Sequence, residues 1–231
     1  MRRFVLLAAA TIWAVGMLTV MGKGVAAEYV QPEAPEVQMQ TVTLPCNVQD
    51  TQMVAQLIAC YEGPFREDGS DEEVAGVAAL LIENTGGTMI SEGAVILDWG
   101  ADRLVFELYA LPAGEKVLVL EKDQKCYSGQ QLTGCYGWER REYPENMGQV
   151  SATDAGGGCM LVTNHTDASI DVARIRYKSY YAEADMYIGG ICYETVVQDL
   201  DPGEQRMISP YHYLCGSSRV VCVTIEVVSD K

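Results

Sequence analysis

Only two histidines stand in the chain, and each has a cysteine nearby: Cys159 six residues before His165, and Cys215 three after His212. A thiol made nucleophilic by an adjacent imidazole is the chemistry such pairs offer, because the imidazole must accept the thiol proton. Closeness along an extended chain does not set that geometry, and no oxyanion-hole glycine pattern accompanies either pair. Turn-stabilising or surface roles are the plainer expectation for both histidines.

Paired carboxylates could hydrolyse glycosides, but among 32 Asp and Glu residues pairs arise by chance. The run Arg66-Glu67-Asp68-Gly69-Ser70-Asp71-Glu72-Glu73 gathers hard oxygen ligands of the kind calcium takes, without the EF-hand spacing. A solvated acidic turn is the simpler reading. Neither a phosphate-binding P-loop nor a Gly-x-Ser-x-Gly elbow occurs. No catalytic, metal or cofactor site is therefore expected.

What remains is surface. Trp99, Trp138, Tyr180, Tyr181, Tyr187, Tyr211 and Tyr213 fall near expected strand ends or loops, where aromatics stack on sugars or anchor protein partners. Plugging the ends of a sandwich is the alternative. Arg174, Arg176 and Lys178 alternate along one strand and so share a face, which makes them a basic stripe for the acidic tether or a neighbouring domain, or a solvated face that protects an edge.

The elements that must position these residues read as strands. Val77–Asn84, Ala94–Trp99, Leu104–Tyr109 and Val117–Glu121 are short, β-branched or aromatic, and bounded by Gly, Pro, Asn or Asp. Asp50–Tyr61 fits either a helical stripe or a strand. A repeat organises the rest: Leu81-Ile82-Glu83-Asn84 with Ile90 matches Leu161-Val162-Thr163-Asn164 with Ile170. Further on, Leu111-Pro112-Ala113-Gly114-Glu115 answers Leu200-Asp201-Pro202-Gly203-Glu204. The second copy is longer between these landmarks, and the extra length holds Tyr180–Tyr187. Two tandem all-β domains are expected, over 51–148 and 149–231, each an antiparallel sandwich. In Val221–Val227 the odd positions are aliphatic and should face the core, which turns Cys222 outward with Thr224 and Glu226. By the same parity Cys192 and Cys159 point outward, so a core disulfide of immunoglobulin type is not expected.

The compartment follows from the amino terminus. Met1-Arg2-Arg3, an apolar run from Phe4 to Gly22, and small residues to Ala27 have the layout of a Sec signal peptide, with an uncleaved single anchor as the alternative. Residues 28–50, with Pro32, Pro35 and Pro45, read as an extended tether. Eight cysteines in an exported chain suggest disulfides. Of the possible pairings, Cys126–Cys135 would close a polar loop locally. A net charge of −16 argues against nucleic acid and anionic membrane surfaces; a membrane enters only through the leader, if it is kept.

The Asn84-Thr85 and Asn164-His165-Thr166 landmarks, each followed by an alternating strand and a Pro-Gly turn, resemble immunoglobulin-like domains of the FxLYD type from envelope proteins of Gram-positive anaerobes. Phe106-Glu107-Leu108-Tyr109-Ala110 is the nearest approach to that family's Phe-x-Leu-Tyr-Asp signature. The resemblance implies an immunoglobulin-like sandwich at the cell envelope and carries no catalytic residue with it. The expectation is a non-catalytic secreted or cell-surface binding or structural module whose partner is a protein or a glycan. The alternative is a secreted hydrolase or carbohydrate-active protein with a site built from loops.

Overall fold

Turn residues and β-branched runs partition the chain into thirteen strands, with no helix among the described residues. The computed structural model describes residues 41–65, 73–142 and 148–226. The leader, residues 28–40 of the tether and Arg66–Glu72 of the acidic turn lie outside the described residues. In order the strands are β1 (Cys46–Asn47), β2 (Met53–Pro64), β3 (Glu73–Asn84), β4 (Met89–Trp99), β5 (Asp102–Leu111), β6 (Lys116–Leu120) and β7 (Gly134–Glu142). They continue as β8 (Val150–Gly156), β9 (Cys159–Asn164), β10 (Ile170–Tyr181), β11 (Met186–Leu200), β12 (Gln205–Ile208) and β13 (Ser218–Glu226). Asp50–Tyr61, open between helix and strand, is strand from Met53. The expected strands after Val77 all form, each longer by a few residues except the last.

One set of pairings occurs twice. In the first half β2–β3–β6 stand side by side, and so do β5–β4–β7. In the second half the same places are taken by β8–β9–β12 and β11–β10–β13. Each half closes around its own apolar cluster. Leu80, Ile82, Val117 and Val119 of one sheet meet Val95, Leu97, Leu104 and Phe106 of the other. Met160 and Val162 likewise meet Ala173, Ile175, Tyr177 and Val197. Alternate positions along each strand supply these contacts, as the two-residue period requires.

The repeated asparagines have a physical role. Asn84, fully buried, donates through Nδ2 to the carbonyls of Thr88 (2.9 Å), Leu111 (3.0 Å) and Pro112 (3.0 Å). Asn164, equally buried, donates to Ala168 (2.9 Å), Leu200 (3.2 Å) and Asp201 (3.0 Å). In both halves one amide thus ties the end of a strand to the next turn and to the Leu that opens the Pro-Gly turn. Carbonyls at a sheet corner have no ladder partner, so a short side-chain amide satisfies them.

Three expectations change. The sheets are not all antiparallel, because β6 and β11 pair in parallel through Val117 with Tyr187 and Leu118 with Ile188. That seam merges sheets from the two halves into one seven-stranded sheet, β1–β2–β3–β6–β11–β10–β13. The extra residues of the second copy make it possible: they lengthen the β10–β11 hairpin until its end reaches β6. Cys222 also departs from expectation, being buried with Met89 and Ala110 and packed by Cys192 and Val221. Val223 and Ile225 do pack on the second core, so the parity is right for them. On the opposite face of β13, however, Cys222 is covered by Met89 and Ala110 of the first half, while Glu226 stays in water. Residues 41–50, expected as tether, are packed too: Val48 is buried, and Leu44 and Cys46 rest on the first core.

Candidate functional site

The junction between the halves concentrates the side chains that do something other than fill a core. Lys178 is fully buried there, and its ammonium donates to the carbonyls of Tyr109 (2.9 Å), Gly190 (3.2 Å) and Ile191 (2.6 Å). It therefore does not extend the surface stripe of Arg174 and Arg176. The first half covers Lys178 through Tyr109, and the extra residues at the register shifts fall on the neighbours β13 and β11, not on β10. Arg174 pairs with Glu194 and Glu226, and Arg176 with Glu194 and with Glu142 of the first half. An acidic chain has met its own cations.

The aromatics sort into two groups. Tyr187 and Tyr213 are buried, Trp99 is half-buried against the first core with its ring stacked on Tyr127, and Tyr180 rests on the same core edge-on to Tyr187. Burial pushes the Tyr187 phenol well above the ordinary tyrosine value. The other three are open to solvent: Tyr211 is 82% exposed, Tyr181 47% and Trp138 46%.

Of these, Tyr181 belongs to a concave surface. It lines a groove of about 330 Å³ with Tyr61, Pro64, Leu118, Ser179, Tyr180, Met186, Ile188, Leu214 and Ser217. Leu118 and Ile188 are the pair that closes the parallel seam, so the groove runs over the joint between the halves. Its tyrosine hydroxyls are engaged at the rim. Tyr61 donates to the Pro64 carbonyl at 2.7 Å, Tyr181 to Glu183 at 2.7 Å, and Tyr180 to Asp185. The Glu183 bond holds the Tyr181 phenol above its usual pKa, and the Asp185 bond does the same for Tyr180. With those groups occupied, the groove presents ring faces and aliphatic side chains, with Ser179 and Ser217 among them and no charge. Sequence reading found Tyr180 and Tyr181 but not Tyr61, Leu118 or Leu214, which come from strands and loops far apart in the chain.

A second cavity, about 430 Å³, is polar instead. Glu92, Arg140, Glu142, Arg176 and Glu194 surround it, with Cys192 and Tyr109 at its base. Its charges are paired, Arg140 with Glu92 within the first half and Arg176 with Glu194 within the second, while Arg176 with Glu142 crosses between them.

The histidines keep other company than the nearby cysteines. His165 Nε2 lies 2.7 Å from Ser151 Oγ on the exposed end of the β8–β9 sheet. His212 stacks on Tyr193, with centroids 4.9 Å apart, and meets Tyr211 edge-on. No group of three or more His, Cys, Asp or Glu suited to a metal ion occurs among the described residues.

The two cysteines expected to pair with each other have different neighbours. The Cys135 thiol neighbours that of Cys46, both packed against the first core, and Cys126 lies beside Cys60 at Gly76. Comparison with family models, with curated proteins and with solved structures finds no match to this chain.

Proposed function

We propose that the protein is an exported, non-catalytic binding module of the cell envelope, built from two immunoglobulin-like sandwiches and engaging a protein partner through the seam groove. The repeated strand order supports the first part. Within each half the pairings follow the A–B–E and C′–C–F order of immunoglobulin sheets, with the last edge strand left out. The basic, apolar and small-residue leader supports export.

The uncharged groove carries the choice of partner. A sugar site needs several polar groups aimed inward to meet hydroxyls, whereas here the tyrosine oxygens are bonded at the rim and the lining, apart from Ser179 and Ser217, is apolar. Such a surface suits the buried aliphatic or aromatic anchor of a polypeptide, the usual centre of a protein interface. Placing the photocrosslinker p-benzoylphenylalanine at position 181, and at 211 as a control, tests this on source cells. Protein adducts at 181 and not at 211 are expected. Glycan-array binding that Tyr181→Ala abolishes would replace the protein partner with a sugar, and adducts at neither position would remove the groove from the function.

One observation favours a secreted hydrolase: the Ser151–His165 hydrogen bond is the contact by which an imidazole takes a hydroxyl proton. Turnover of p-nitrophenyl acetate that disappears in Ser151→Ala would place that reading first.

A further inference from the structure

We propose that Cys46 with Cys135 and Cys60 with Cys126 are two disulfide sites, the first joining the two sheets of the first half and the second fixing the far end of β2. Cys46 lies on β1 of the seven-stranded sheet and Cys135 on β7 of the facing sheet, and both pack against the first core. Their thiols are close enough for Cys46 to raise the Cys135 pKa, and the backbone next to them is pinned where Gln49 N donates to the Cys135 carbonyl at 3.3 Å. Burial and that thiol neighbour push the Cys135 pKa up, so in the reduced protein the thiol stays protonated.

The second pair is read from Gly76. A Cβ built on that glycine would lie 3.6 Å from the Cys126 sulfur and 4.0 Å from the Cys60 sulfur, so both sulfurs converge on one point over β3. Gly76 also holds φ at +72°, a conformation that suits glycine. Opposite it, Ala78 N donates to the Lys125 carbonyl at 2.8 Å, which fixes the loop carrying Cys126 against β3, while Cys60 is the register partner of Ala78 on β2. Both cysteines are exposed and open to an oxidant. The consequence reaches the groove, because Tyr61 follows Cys60 directly.

Each bond forms when two thiols give up two protons and two electrons to a disulfide donor. With glutathione disulfide as that donor, one protein disulfide and two glutathione thiols result. Both bonds close long loops, and cross-links of that kind take the most conformational freedom from the unfolded chain.

The test is oxidation of the purified, folded, reduced protein in a glutathione redox buffer, followed by mapping without reduction. The reaction runs in vitro, so its outcome does not depend on whether the chain is exported. Trypsin, cutting at Lys23, Arg66, Lys125 and Arg140, leaves Cys46 and Cys60 on one peptide and Cys126 and Cys135 on another. Further cleavage by chymotrypsin after Leu57 and Tyr127 separates them. Linked fragments carrying Cys46 with Cys135 and Cys60 with Cys126 are expected, together with a urea midpoint that falls on reduction. Cys135→Ser should release Cys46 to alkylation and leave the other link intact, and Cys60→Ser should do the reverse. A Cys126–Cys135 link, links between molecules, or four thiols that stay free would overturn the assignment.

Discussion

Replacing the corner asparagines probes both the repeat and the way the halves are joined. Asn84→Ala removes an amide that bonds three carbonyls and a carbonyl oxygen that accepts from Gly86 N and Arg141 Nη2, each at 3.1 Å. An amide has two hydrogens, so one is shared among the three carbonyls, and the substitution strands buried acceptors and takes one partner from the Arg141 guanidinium, which keeps Glu139 and Thr88. At about 1 kcal/mol per neutral bond, and somewhat more for the charged one and for acceptors left dry, the cost is about 4 kcal/mol. Asn164→Ala loses the same three carbonyls but only Thr166 at the oxygen, with no charged donor, and should cost about 3 kcal/mol. With a urea slope of about 2 kcal/mol/M, the midpoints fall by about 2 M and about 1.5 M. Far-UV circular dichroism follows both halves, whereas Trp99 and Trp138 fluorescence reports on the first alone. Because β6 and β11 share a sheet, Asn164→Ala must lower the fluorescence midpoint as much as the dichroism midpoint. Losses under about 1 kcal/mol in both variants would refute the role given to the amides. A fluorescence curve that Asn164→Ala leaves in place would refute the coupling.

Other substitutions test the junction and the core. Lys178→Met keeps the stem and deletes the ammonium, leaving the Tyr109, Gly190 and Ile191 carbonyls without it; thermal and urea unfolding should show a loss of about 3 kcal/mol. Gly137→Ala places a methyl 2.2 Å from the Ala94 carbonyl, in the ladder between β4 and β7. It should cost about 3 kcal/mol or prevent soluble expression. Under reducing conditions stability should fall as the pH rises from about 8.5, where unfolded thiols ionise. Burial holds Cys222 at about 11 and raises the phenols of Tyr177, Tyr187 and Tyr213, so the unfolded chain releases these protons first. Urea midpoints at pH 7.5 and pH 10 measure the drop, and Cys222→Ala should make it smaller.

The strands were legible because each carries its own pattern: Val, Ile and Leu in alternation, closed by Gly-Gly or Pro-x-Gly. The duplication was legible because Asn84 and Asn164 do the same local work. The face of Cys222 was not, since parity states only which residues share a side, and what covers that side comes from β4 and β5 more than a hundred residues away. Lys178 misled for the same reason: the carbonyls that take its ammonium come from Tyr109 on β5 and from Gly190 and Ile191 on β11, and nothing in β10 announces them. Tyr61, Leu118, Ile188 and Leu214 carry nothing individually that signals a groove; it exists only once β2, β6, β11 and the loop before β13 meet. Residues 41–50 read as tether from Pro45 and their polar residues, although Val48, Leu44 and Cys46 seat them on the first core.

Joining the halves through two residue pairs, Val117 with Tyr187 and Leu118 with Ile188, also has a consequence for assembly. Were the polypeptide divided ahead of β8, each fragment would carry a bare edge, β6 in one and β11 in the other, inviting any extended segment to dock. In the intact chain those edges shield one another. The same complementarity means that a second molecule could supply β11 to the first molecule's β6 with every contact kept, giving an exchanged dimer at high concentration during refolding. The longer β10–β11 hairpin is the feature that turns this hazard into an internal closure.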